Sequence, residues 1–237
     1  MRTFKVHLIR HALCEDSDAG KYIGHTDVPL SAAGIMQLKN MKSDFEYPAV
    51  SAVITSPLDR CIQTAKILYP DLSPLIFDGL IEYDFGEFEG MTADELKNEK
   101  EFSQWLAGGE DVGAPFGETN GEFKNRVCRC FSDIVDGIIK AETDSVALIT
   151  HGGVIMTIMQ YFALPAAPMH EWLTPNGCGY TLNIIPSIWS NIKKAEAMAE
   201  IPLKPFESED DEQDGEWDVE LDPEEFAGFY TAEEDKH

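Results

Sequence analysis

The sequence predicts an α/β fold, a three-layer α/β/α sandwich with a mostly parallel central sheet. Strand-length apolar runs alternate along the chain with segments of helical periodicity. Residues 145–150 (SVALIT) form an apolar run typical of a central parallel strand that is covered on both faces. Polar side chains follow directly after several predicted strands, and ligands of open α/β sheets bind at the carboxyl ends of strands.

In the first part of the chain, residues 3–9 alternate between the two faces of a predicted strand. Ser31 begins a helical pattern whose apolar positions recur every three or four residues, at Ile35, Leu38, Met41 and Phe45. Residues 51–55 predict a buried strand. Ser56 and Pro57 are then expected as the N-cap and first residue of a helix that extends to about residue 69.

Two capping boxes predict later helices, because Thr92 precedes Glu95 by three residues and Thr119 likewise precedes Glu122. The first helix is expected to continue through Phe102, Trp105 and Leu106. After the strand at 145–150, a His-Gly-Gly turn leads into an apolar helix. Residues 179–185 are interpreted as the final strand, and a short helix is expected around residues 188–198.

The strongly negative charge of this chain disfavours binding to nucleic acids and other phosphate polymers. The formal net charge is −25, and residues 207–237 alone hold fifteen acidic side chains against one lysine. Such a field repels nucleic acid and anionic membrane surfaces. A phosphorylated ligand of this protein is therefore expected to be a small molecule held in a local positive pocket.

The cysteines and the N-terminus indicate a cytoplasmic protein. The five cysteines lack C-x-x-C spacing, and an odd number argues against a secreted disulfide framework. The first residues reach a charge too soon for a signal peptide or a transmembrane helix. We therefore expect an intracellular, reducing location.

Three segments are predicted in the domain organisation: a catalytic domain over residues 1–190, a connector over 191–206 and an acidic tail over 207–237. The tail also contains aromatic residues, among them Trp217, Phe226 and Tyr230. It is interpreted as a solubilising extension, with a lid over the domain or an arm for a basic protein partner as alternatives. The oligomeric state stays open.

Three cationic segments follow predicted strands. Arg10 and His11 follow the first strand, Arg60 lies near the start of the helix after the second, and His151 with Gly152 follows the strand at 145–150. Arginine can bind two phosphate oxygens at once, and a helix N-terminus adds partial positive charge. Each segment alone also fits an ordinary structural role, so the inference depends on their combination.

A fourth segment, residues 80–90, alternates acidic and aromatic residues before a closing glycine. Glu82 is the candidate general acid here, and Asp84 is the second choice.

Together these segments resemble the histidine phosphatase superfamily, also called phosphoglycerate mutase-like. The family's R-H-G, S-P-L-x-R-x-x-Q-T-A, E-x-x-x-G and T/S-H-G-G motifs all have counterparts here, in the family's order. Residues 22–31 (YIGHTDVPLS) resemble its G-x-x-D-x-P-L-T/S loop, which implies a substrate loop at Gly24, His25 and Thr26. The resemblance covers roughly residues 4–185. Its acid segment is more similar to the phosphatase branch, including alpha-ribazole phosphatases, than to the mutases.

The chain departs from the family at Ala12, where the family usually has glycine. Alanine fits this turn only if its backbone keeps a negative φ. The usual polar phosphate contacts just downstream are also replaced, by residues 13–16 (LCED).

The resemblance implies a phosphomonoesterase that requires no metal or cofactor. His11 would be the covalent phosphoryl acceptor, Glu82 the acid and base, and the phosphate would lie among Arg10, Arg60, His151 and Gly152. A phosphoglycerate mutase and a non-catalytic module that binds a phosphorylated ligand or a partner are the alternatives. The physiological substrate is not predicted.

Overall fold

The structure is a computed structural model that describes residues 2–15 and 20–203 of the 237-residue chain. The predicted acidic tail and the last three residues of the predicted connector lie outside the described residues.

The described part of the chain contains seven strands and seven α-helices. The strands are β1 (Phe4–Arg10), β2 (Ala52–Thr55), β3 (Leu75–Ile76), β4 (Ser145–Thr150), β5 (Ala163–Leu164), β6 (Gly179–Ile184) and β7 (Ala195–Ile201). The helices are α1 (Ala32–Asp44), α2 (Asp59–Leu68), α3 (Ala93–Leu96), α4 (Lys100–Leu106), α5 (Asn120–Ala141), α6 (Gly152–Phe162) and α7 (Pro186–Ile192).

All seven strands belong to one sheet, in the order β3-β2-β4-β1-β6-β7-β5. Strands β1, β2, β3 and β4 run parallel, whereas β6 is antiparallel to both β1 and β7. This arrangement confirms the predicted α/β fold with a mostly parallel sheet.

The strand residues alternate between two hydrophobic clusters, one on each face of the sheet. In β4, Val146 and Leu148 pack into the larger cluster, with residues of α5 and α6, while Ala147 and Ile149 pack into the other, with residues of α1 and α2. Because both faces are covered, the strand is continuously apolar, as its sequence predicts.

Two helix predictions were wrong at their boundaries. Helix α2 begins at Asp59 rather than Pro57, and its N-cap is Leu58, with no side-chain capping bond. The Ser56 hydroxyl lies before the helix, 2.8 Å from Nε2 of His151. The helix expected from Thr92 onward is divided into α3 and α4, although its capping box is present as predicted.

The chain after β6 also differs from the prediction. The expected helix over 188–198 ends early at Lys193, which has a left-handed backbone with φ of 51°. Strand β7 follows and pairs with β6, so the strand at 179–184 is not the last one. The sheet therefore extends beyond residue 190, into the segment predicted as a connector.

Parallel pairing brings three strand ends to one edge of the sheet. Strand β4 lies between β1 and β2 and runs parallel to both. The residues that follow these three strands therefore meet at the same place. Among the described residues, no helix combines the length and the apolar character needed to cross a membrane.

We expect Thr119→Ala to destabilise the protein by about 1 kcal/mol, because it removes the N-cap of the 22-residue helix α5. The Thr119 side chain accepts a hydrogen bond from the Glu122 amide. Urea unfolding measures the change. Ser103→Ala is the control, since the exposed Ser103 hydroxyl donates to the carbonyl of Glu99, the residue before α4. Equal stability of the Thr119→Ala variant and the wild type would contradict the capping role.

Candidate active site

A cavity of about 90 Å³ opens where the three strand ends meet. Its lining includes both predicted arginines, His11, Glu82 and Gly152. The remaining lining residues are Leu13, Cys14, Lys21, Tyr22, Ile23, Phe85 and Asn176.

His11 is held as a neutral imidazole with a defined tautomer. Its Nδ1 lies 2.7 Å from the carbonyl oxygen of Ala12, and a carbonyl can only accept, so Nδ1 carries the proton. Burial lowers the pKa of His11 well below its usual value, and the nearby Arg60 and Arg10 lower this pKa further. Nε2 is therefore left with a lone pair, which a nucleophile requires.

The turn after β1 is anchored from two sides. The Ala12 amide donates to Oγ1 of Thr64 at 3.0 Å, and Nδ2 of Asn176 donates to the His11 carbonyl at 2.8 Å. Positive φ among the described non-glycine residues occurs only at Phe116, Glu142 and Lys193. Ala12 therefore has a negative φ, as an alanine at this turn requires.

The two arginines are buried charges beside His11. Arg10 donates from Nη1 to the carbonyl of Thr174 at 3.0 Å and is 7% exposed. Arg60 is 1% exposed, and its donors contact the carbonyls of Thr26 and Gly24 at 2.8 and 2.6 Å. Both guanidiniums are thus fixed by backbone oxygens at the cavity.

His151 lies directly beside His11, with ring centroids 5.2 Å apart. Its Nδ1 accepts from Nε of Arg60 at 3.3 Å, and Nε2 donates to the Ser56 hydroxyl at 2.8 Å. Burial lowers the pKa of His151 well below its usual value, and Arg60 lowers it further. The ring is therefore neutral, and it orients the buried Arg60 guanidinium.

Glu82 is buried and lines the cavity opposite these cations. Its carboxyl oxygens accept from the amides of Tyr83 and Gly153, each at 2.9 Å. Burial raises the pKa of Glu82, while the two amide bonds and the arginines oppose that rise. A carboxyl group with a raised pKa can hold a proton that a reaction needs.

Gly24, His25 and Thr26, predicted as a substrate loop, are not in the cavity lining, which instead includes the preceding Tyr22 and Ile23. The loop lies behind Arg60, and its amides contact the carboxylate of Glu89. Asp84, the second choice for the acid, lies 3.6 Å from Nδ1 of the partly exposed His25.

Several residues that position the site were missed by sequence reasoning. They are Thr64, Glu89 and Asn176, together with Ser56 and Arg126, which the sequence indicated only as a helix cap and as part of a helix start resembling the family's G-G-E-S. Arg126 donates to the carbonyls of Ile81 and Glu82 at 2.8 and 3.2 Å, and thereby holds the acid segment. Its place one helix step after the capping box at Thr119 was the only signal in the sequence.

Within residues 2–15 and 20–203, the His, Cys, Asp and Glu side chains form no group of three or more that is suited to hold a metal ion. Among the cysteines, Cys14 lies close to His11, with its Sγ 3.4 Å from Nδ1.

A parallel sheet that presents two neutral histidines and two buried arginines at its carboxyl edge defines a phosphoryl-transfer class of site. Residues 6–196 match the model of the histidine phosphatase superfamily (branch 1), and the chain belongs to this superfamily. The predicted family is thus confirmed.

The similar proteins are mostly phosphatases by name. The chain is 26% identical over 185 residues to the adenosylcobalamin/alpha-ribazole phosphatase of Salmonella typhimurium, covering 76% of this chain and 90% of that protein. It is 31% identical over 127 residues to phosphoserine phosphatase 1 of Hydrogenobacter thermophilus, covering 52% of this chain and 60% of that protein. The crystal structure of the alpha-ribazole phosphatase from Shigella flexneri superposes with a TM-score of 0.72 at 24% identity, covering 86% of this chain and all of that one. The prediction of a phosphatase enzyme is confirmed by the family and by the names of the Salmonella and Hydrogenobacter relatives, while the crystal structure confirms the fold.

The neutral histidines should make the fold sensitive to acid. The pKa of His11 is lower in the folded than in the unfolded chain, so the unfolded chain binds more protons below about pH 6.5. Stability is therefore lost as the pH falls from 6.5 toward the folded pKa, by about 1.4 kcal/mol per unit for each such histidine.

We expect His11→Gln to reduce the pH dependence of the free energy of unfolding by the contribution of one histidine. Free energies of unfolding in urea at pH 7 and pH 5 measure the difference between variant and wild type. His170→Gln, at an exposed position, is the control. Parallel pH profiles of the wild type and His11→Gln would contradict a neutral, buried His11.

Proposed function

We propose that the protein is a phosphomonoesterase that needs no metal and that transfers the phosphoryl group of a small metabolite to Nε2 of His11. The lone pair of Nε2 attacks phosphorus, the bond from phosphorus to the ester oxygen breaks, and the alcohol leaves. Water then attacks the phosphohistidine, which releases inorganic phosphate and restores the imidazole. The observation that carries the proposal is the neutral His11 beside two buried guanidiniums. Its Nδ1 proton is held by the Ala12 carbonyl.

The phosphate oxygens would be held by Arg10, Arg60 and the Gly152 amide, and His151 would join them by turning its Nε2 proton from the Ser56 hydroxyl to a phosphate oxygen. Arg60 has five N–H donors, of which three bond to Gly24, Thr26 and His151 within the described structure. One donor on each Nη nitrogen is then left for a phosphate oxygen. Gly152 is the first residue of α6, where backbone amides and the helix dipole favour an anion.

Glu82 would serve as the general acid and then as the general base. Its raised pKa supports a carboxyl group that protonates the leaving alkoxide. Once deprotonated, the same group can accept a proton from the water that attacks the phosphohistidine. Asp84 is more exposed, accepts from the Gly86 amide at 3.0 Å and lies 3.6 Å from Nδ1 of His25, which makes it the weaker candidate.

The substrate is expected to be small, because the cavity is narrow and the chain is acidic. A cytoplasmic location also fits the free cysteines. The domain over residues 1–190, the connector and the tail with its basic partner stay predictions. Truncation after Phe206 tests the tail, since a lid would change substrate affinity and a solubilising extension would not.

We expect a phosphohistidine at position 11 when the protein is mixed with labelled p-nitrophenyl phosphate and quenched in alkali. His11→Gln should form none and should hydrolyse the ester only at the background rate, because the nucleophile is lost. EDTA should leave wild-type turnover unchanged. Turnover without a labelled histidine would contradict the mechanism, and conversion of 3-phosphoglycerate into 2-phosphoglycerate would favour a mutase instead.

We expect Glu82→Gln to reduce turnover of alkyl phosphates by about 10² to 10⁴-fold, the range typical of general acid catalysis. Hydrolysis of p-nitrophenyl phosphate should fall far less, since p-nitrophenolate leaves with little need of a proton. Asp84→Asn is the matched control and should affect the two substrates alike. Equal losses for both substrates in Glu82→Gln would overturn the assignment of the acid.

A further inference from the structure

The carboxylate of Glu89 accepts hydrogen bonds from three consecutive residues of the loop behind the cavity. The Gly24 amide donates to its two oxygens at 3.0 and 3.1 Å, the His25 amide donates at 2.7 Å, and the Thr26 hydroxyl donates at 2.8 Å. Hydrogen bonds to an ionised acceptor are roughly twice as strong as neutral ones. Glu89 therefore fixes the path of this loop.

The carbonyls of the same loop hold the guanidinium of Arg60. The Gly24 oxygen accepts from Nη2 at 2.6 Å and the Thr26 oxygen accepts from Nη1 at 2.8 Å. The Gly24 carbonyl and the His25 amide belong to one peptide unit, which thus binds the guanidinium at one end and the carboxylate at the other. Linked hydrogen bonds of this kind polarise and strengthen one another.

The loop has no room to shift toward the acid segment. A Cβ atom at Gly24 would lie 1.8 Å from the Tyr83 carbonyl oxygen and 2.7 Å from Oε1 of Glu89. A second bond fixes its other end, where Oδ1 of Asp27 accepts from the Asp59 amide at the start of α2. The loop is thus held between the segment that carries Glu82 and the helix that carries Arg60.

We propose that Glu89 is a positioning residue for Arg60, acting through the backbone of residues 24–26 without touching the substrate. The inference rests on the proposed function, in which Arg60 binds the phosphoryl oxygens. Glu89 lies seven residues after Glu82 in the same segment. Its hydrogen bonds to the loop therefore link the segment that carries Glu82 to the carbonyls that hold Arg60.

The first test compares Glu89→Ala and Glu89→Gln with the wild type, using p-nitrophenyl phosphate as substrate and inorganic phosphate as inhibitor. Displacing a binding group by about 1 Å can cost about 100-fold in rate, and we expect a loss of this order in kcat/KM for Glu89→Ala. Inhibition by phosphate should weaken in parallel. Glu89→Gln, which keeps one carbonyl acceptor, should lose less.

Glu87→Ala is the matched control, because Glu87 is an exposed glutamate of the same segment. It should retain wild-type kinetics. Thermal unfolding of each variant identifies any that fail to fold, and in that event the Glu89→Gln variant carries the comparison.

A double-mutant cycle with Arg60→Ala separates positioning from a general structural role. If Glu89 acts through Arg60, adding Glu89→Ala to Arg60→Ala should cost no more than about twofold, close to the limit of additivity errors. If Glu89→Ala lowers kcat/KM by the same factor in the wild type and in Arg60→Ala, the inference is overturned. It is also overturned if Glu89→Ala alone keeps the wild-type kinetics and the wild-type inhibition by phosphate. If the wild-type protein shows no hydrolysis that depends on His11, the proposed function is overturned instead. If the wild-type protein does not bind inorganic phosphate, both proposals are overturned.

Discussion

The burial of the Arg60 guanidinium is the constraint on which the rest of the site depends. A charge that is 1% exposed costs several kcal/mol in lost hydration unless other groups replace the water. Here the replacements are the carbonyls of Gly24 and Thr26 and the Nδ1 of His151. These acceptors determine the loop conformation and the tautomer of His151. Glu89 then accepts hydrogen bonds from the Gly24 and His25 amides of the same loop.

The sheet supplies the second constraint, through the register of its two central strands. Arg10 of β1 is paired with Thr150 of β4 in parallel register. The residues that follow, His11 and His151, must therefore emerge side by side, and their rings lie 5.2 Å apart. Two neutral imidazoles tolerate this proximity, whereas two imidazolium ions would repel each other. The same burial that excludes water from the strands thus keeps His11 and His151 neutral.

The sequence could predict which side chains gather at the site but not the contacts that hold them there. Side chains directly after buried strands were predictable, because apolar runs locate the strands and parallel strands end together. Ser56 was predicted as a helix cap, yet its hydroxyl bonds to His151, which is 95 residues away. Glu89 and Asn176 were missed for the same reason, since their partners are loop atoms distant in sequence. Strand β7 was also missed, because its outward residues are largely exposed and its apolar pattern is weak.

A chain with a net charge of −25 must still present a positive cavity. Three carboxyl groups around the site are compensated, each in a different way. Burial raises the pKa of Glu82 and favours its protonated form. Glu89 is bound by the three donors of the loop, and Glu118 is paired with Arg126 at 2.6 Å. Because these carboxyl groups are compensated locally, the field inside the cavity is set by the cations that line it, Arg10, Arg60 and Lys21, rather than by the total charge.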